Sequence, residues 1–155
     1  VSEIVDLLRE QMMLELSHVE RIKPTMQAMP SRLASAVLES IIHDSYKHAA
    51  LCGALVDVEA GSAPVRLEID PATAMKMAQS IRQHIRVEEE MIERLERMLK
   101  MNLDDRVAEI LRYILQDEMR HHTALTRMAN LLDREETSQD EYLSLALKYM
   151  FIQPP

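Results

Sequence analysis

Apolar residues recur every three or four positions along most of the chain, the period of an α-helix and not of a strand. From Ser2 the stripe runs Leu8, Met12, Glu15, Val19, Ile22 and Met26. It predicts a first helix that Pro24 kinks or ends, with the turn at Pro30-Ser31, since proline disfavours helix just before it and serine caps well. A second helix follows from about Ser31 to Ala60, with the stripe Ala34, Leu38, Ile41, Ser45, His48, Cys52 and Leu55 and with Gly61 as its C-terminal cap. Ser62 to Ile69 lacks the helical period and reads as a connection. Asp70-Pro71 then restarts the chain, aspartate as N-cap and proline in the first turn. The third helix extends from Pro71 to about Met101 with Ile81, Ile85, Glu88, Ile92, Leu95 and Leu99 on one face, and Asn102 breaks it. Asp104 and Asp105 suit the start of a fourth helix, because negative charge there favours the helix dipole. Its stripe is Val107, Leu111, Ile114, Glu118, His121, Leu125 and Met128, and it runs to about Glu136. Ser138 and Glu141 form a capping-box pattern before a short fifth helix carrying Tyr142, Leu145, Leu147 and Tyr149.

Five ionisable residues interrupt these stripes: Glu15, His48, Glu88, Glu118 and His121. An uncompensated charge in a core slot is costly, so such groups are paired or bind a metal. Glu118-x-x-His121 sets a carboxylate and an imidazole side by side on one turn, a common way for a helix to offer two metal ligands.

Composition narrows the function classes. The chain has 155 residues, only 2 glycines and 12 methionines, as expected of an all-helical domain with a flexible apolar interior. A formal charge of −8 disfavours nucleic acid as a partner and suits cations better. A single cysteine, Cys52, excludes an internal disulfide framework and a four-cysteine iron site, and reads as a small buried residue. No apolar run approaches the roughly 20 residues of a membrane span, and Val1 to Glu10 do not resemble a signal peptide. The expectation is a soluble, cytoplasmic protein with no membrane partner.

Laying residues 8 to 56 over residues 81 to 129, a shift of 73 without a gap, pairs Arg9 with Arg82, Glu15 with Glu88, Leu38 with Leu111, Asp44 with Asp117 and His48 with His121. In both halves a glutamate precedes a histidine by 33 positions. The two helix pairs therefore read as copies.

The combination resembles the ferritin-like superfamily, in particular diiron carboxylate proteins of the bacterioferritin and rubrerythrin type, over roughly residues 8 to 130. The resemblance implies an all-α, ferritin-like four-helix bundle of two duplicated helix pairs over residues 1–136, with a short C-terminal helix and tail, 137–155, packed on the same domain. It implies Glu15 and Glu88 as terminal carboxylates and Glu118 as the bridging, catalytic carboxylate. His48 and His121 are the implied imidazole ligands, with Asp44 and Asp117 hydrogen-bonding a ligand histidine from behind. Ser45 stands where the family has its second bridging glutamate. Asp44 could partly substitute for that donor, and His18, one turn from Glu15, is the first histidine candidate to replace it. His84, one turn before Glu88, is a possible extra ligand, and His122 lies within reach of Glu118. The implied cofactor is iron, two ions or one if the Ser45 half is degenerate, with manganese as the other option. The implied activity is redox chemistry with oxygen or peroxide, of ferroxidase or rubrerythrin-like peroxidase type. A peroxidase cycle needs an external electron donor, because the chain has no rubredoxin-like cysteines. Iron storage or sequestration, or a helical scaffold with a degenerate metal site, are the alternatives. A homo-oligomer, dimer or larger, is expected.

Overall fold

The computed structural model describes residues 3–64, 68–134 and 138–151, with the side chains of 139 and 151 left aside. They form the helices α1 (Glu3–Ala28), α2 (Arg32–Glu59), α3 (Pro71–Leu99), α4 (Asp105–Leu132) and α5 (Gln139–Phe151), with no strand among the described residues. No described helix is long and apolar enough to cross a membrane. The chain divides into two compact units, Val1–Pro64 and Val65–Pro155. In the first, α1 packs on α2; in the second, α4 packs on both α3 and α5.

The helix ends follow from local chemistry. Ser31 Oγ accepts the Ala34 N–H, and Asp70 Oδ1 accepts the Thr73 N–H with Pro71 in the first turn. After α2 the Gly61 N–H donates to Val58 O and the Ser62 N–H to Asp57 O. This pair of hydrogen bonds needs a left-handed residue, and Gly61 supplies it at φ 69°. Asp104 caps α4 by accepting the Arg106 N–H. Ser138 and Glu141 make half of the expected box: the Ser138 N–H donates to Glu141 Oε2, but the Glu141 N–H donates to the Ser138 carbonyl and not to its hydroxyl.

Three expectations about extent change. Helix α1 continues through Pro24 to Ala28. Helix α3 stops at Leu99, because Lys100 and Met101 donate to Arg97 O and Met98 O in the tighter i→i−3 pattern that closes a last turn. Helix α4 stops at Leu132, where the Asp133 N–H caps Ala129 O; residues 135–136, expected to continue it, lie outside the described residues.

The seams also sharpen the expected stripes. On α1 and α3 the predicted faces are covered, with Val19 at 1% exposure and Leu95 at 7%. On α2 and α4 the covered line is shifted by one residue over part of its length. Ile42, Ser45 and Ala49 are buried on α2, whereas Ile41 and Leu55 are exposed. Ala108 is buried on α4, whereas Val107 and Ile114 are exposed. A wide apolar stripe contains two adjacent i, i+3/i+4 lines, and pairing with one neighbour covers only one of them. The exposed line is apolar surface that each helix pair leaves uncovered.

Candidate metal centre

Val19 fixes the face that α1 turns to α2. Glu15, one turn earlier, therefore lies on the seam opposite Ser45. His48 Nδ1 stands 3.4 Å from Glu15 Oε1. Gln11 Nε2 donates to the same oxygen at 3.0 Å. Ser45 is buried at 4% exposure, and its hydroxyl lies 3.5 Å from Nδ1 of exposed His18. The Ser45 hydroxyl beside Glu15 holds its carboxyl below the usual value, with Gln11 and His48 adding to the effect and burial opposing it. This carboxylate has the donors it needs.

The second unit repeats the geometry with one group changed. Glu88 Oε1 lies 3.9 Å from His121 Nδ1, and its side chain is 15% exposed, the same as Glu15. His121 is 43% exposed, close to the 49% of His48. Where α2 has Ser45, α4 has Glu118, whose Oε2 is 3.2 Å from His121 Nδ1. Glu88, Glu118 and His121 each bring a ligand atom to within 4.8 Å of the others. Burial first, and then the facing Glu118 carboxylate, push the Glu88 carboxyl up to about 7, against the partial relief of His121 and His122. Glu88 Oε2 is buried with no hydrogen-bond partner.

This difference is a fit test for a cation. Two carboxylates and one imidazole converge, one carboxylate oxygen is orphaned, and the pair competes for a proton. A divalent ion removes all three costs at once, and oxygen and imidazole donors suit iron or manganese. The Glu15 half shows no such deficit, because a hydroxyl donor occupies the position of the second carboxylate.

The remaining sequence candidates are placed as follows. Asp44 is ion-paired with Lys47 at 2.6 Å, and Asp117 with Arg120 on its own helix. His84 is exposed on α3. His122, expected near Glu118, sits instead 3.1 Å from Glu89 Oε1. One residue along from His121, its ring is turned about 100° around α4 and meets the α3 residue 33 positions earlier.

Sequence reasoning missed the contribution of α5. Its face Tyr142, Leu145, Ala146 and Tyr149 lies along His121, Ala124, Leu125 and Met128 of α4, around a cavity of about 410 Å³ that Glu88 also lines. The Tyr149 ring stacks on the His121 ring, with centroids 6.4 Å apart and planes 23° apart. The spacing of Tyr142, Leu145 and Tyr149 marks an apolar helical face, but nothing in it names the histidine as the neighbour. Comparisons of the chain with protein-family models, with curated proteins and with solved structures found no match.

Proposed function

We propose that this chain is a ferritin-like protein whose helix pairs, α1–α2 and α3–α4, are the duplicated halves of a four-helix bundle. That bundle would hold non-haem iron or manganese and carry out redox chemistry with oxygen or peroxide. The carrying observation is the convergence of Glu88, Glu118 and His121 around the buried, partnerless Glu88 Oε2. A glutamate and a histidine 33 residues apart meet in both units, which supports duplicated pairs. In this reading Glu88, Glu118 and His121 hold one ion, and Glu15 with His48 contributes the other half.

The residues divide the work by charge. Glu88, with its raised proton affinity, gives up a proton as the cation enters. Glu118 supplies the second negative charge and accepts from the His121 ring. Apolar side chains of α4 and α5 line one side of the cluster, and solvent reaches His121 on the other. A bound redox-active ion supplies the electron transfer that these side chains lack. A peroxidase role further requires an electron-donor protein.

A second reading has its own observation. The Glu15 carboxylate is satisfied by Ser45, Gln11 and His48, so the first unit folds around its polar groups without a metal. A single ion on Glu88, Glu118 and His121, or a scaffold with a degenerate site, fits that half.

Metal analysis after loading with iron(II) or manganese(II) tests both. One to two ions per chain, lost in Glu118→Ala and His121→Ala, supports the first reading. Fewer than about 0.2 per chain, against the one or two sites argued from the helix-bundle ligand pattern, sinks it.

A further inference from the structure

Glu118 Oε2, 3.2 Å from Nδ1, holds one edge of the His121 ring, while the side chain as a whole stays 43% exposed. The neighbour on the face of the ring is Tyr149. Its ring lies nearly parallel to the imidazole, within the 4.5–7 Å range over which aromatic pairs attract.

The way α5 sits on α4 gives this contact weight. Leu145, at 7% exposure, anchors the middle of α5, and the Arg134–Glu141 ion pair with the Ser138 box anchors its start. Beyond Leu145 the small side chains Ala124 and Ala146 leave the cavity of about 410 Å³ unfilled. Past Leu145, Tyr149 meets His121 at the edge of this cavity, beside Leu125 and Met128 of α4.

We infer that Tyr149 is a positioning residue: its ring sets the plane in which His121 presents Nδ1 to Glu88 and Glu118, so that docking of α5 and uptake of a cation are coupled. The coupling is reciprocal, so a cation that fixes His121 also holds α5 against α4. The inference rests on the metal reading of this cluster, and it assigns α5 the task of tuning that site. Stacking needs the ring and not the hydroxyl, so phenylalanine substitutes for tyrosine and leucine does not.

The test compares the full chain with its Tyr149→Phe and Tyr149→Leu variants in manganese(II) binding. It also follows hydrogen exchange of the α5 amides with and without manganese(II). Expected are affinities equal within about twofold for parent and Tyr149→Phe, and at least about tenfold weaker for Tyr149→Leu, the usual effect of losing a group that orients a metal-ligating histidine. Manganese(II) should slow α5 exchange in the first two proteins only. Equal affinity in all three, or α5 exchange indifferent to manganese(II), overturns the inference. If the parent takes up no manganese(II), the functional reading fails separately. The ¹⁵N shifts of the His121 ring in metal-free protein then decide: a change in Tyr149→Leu but not in Tyr149→Phe supports the positioning role, and no change refutes it.

Discussion

Replacing Glu118 with glutamine removes one charge and keeps the shape of the cluster. The Glu88 carboxyl stands near 7 against an ordinary 4.5. A folded-state value above the unfolded one means that folding favours the protonated group. The associated stability is complete below about pH 4.5 and is lost as pH rises through 7. The difference corresponds to at most about 3 kcal/mol, and solvent at the edge of the cluster reduces it to about 1–2 kcal/mol. Burial is the larger cause and Glu118 the second, so Glu118→Gln should recover about 1 kcal/mol at pH 8 and close to nothing at pH 4.5, following the linkage relation. The glutamine carbonyl still accepts from His121, so that contact is retained. The assay is urea unfolding in chelator at both pH values, read by hydrogen exchange of α3 and α4 amides so that the second unit is followed by itself. With manganese(II) present the sign should reverse, because the variant has lost a ligand. Equal destabilisation at the two pH values without metal would refute the reasoning, since it would mean that Glu118 acts through packing and not through charge.

Ser45→Glu should reproduce the charge deficit in the first unit: Glu15 would lose its hydroxyl donor and gain a facing carboxylate. Metal-free α1–α2 should become less stable above about pH 5 by about 1–2 kcal/mol on the same linkage argument, while metal uptake per chain rises; pH-resolved exchange of α1 and α2 amides and metal analysis read the two effects. Gly53→Ala should raise stability by about 0.5–1 kcal/mol, because glycine inside a helix costs that much and the added Cβ meets Met12 Sδ at an ordinary 3.7 Å. Urea midpoints for parent and variant check this, and a fall would show that the α1–α2 seam has less room than its geometry indicates.

Much of the fold was legible in the sequence because its signals are local. The Asp70-Pro71 start, the Glu141 side-chain half of the Ser138-Glu141 box and the left-handed Gly61 depend only on residues a few positions apart, and each forms as read. The same holds for the apolar faces of α1 and α3, and for Glu118 beside His121, which the helical period alone brings together.

The sequence by itself determined that the chain is helical, where its helices begin and that Glu15, Glu88 and Glu118 lie on covered faces; His48, read into a core slot, is 49% exposed beside Glu15. Tertiary structure decided what those slots do. It chose Ile42 over Ile41 and Ala108 over Val107, because pairing two cylinders covers one line of a broad apolar stripe. It sent His122 to Glu89, and it brought Tyr149 onto His121 from a helix whose own sequence names no partner. Above all it separated Glu15 from Glu88. The two glutamates match in register, exposure and histidine partner, yet the carboxyl opposite Ser45 is held below its ordinary value and the one opposite Glu118 is pushed above it. For Glu88 burial is the larger cause and the facing Glu118 the second, whereas for Glu15 the Ser45 hydroxyl outweighs burial; the sequence names Ser45 and Glu118, but only the packing of one helix on another sets how far each carboxyl is shielded from water.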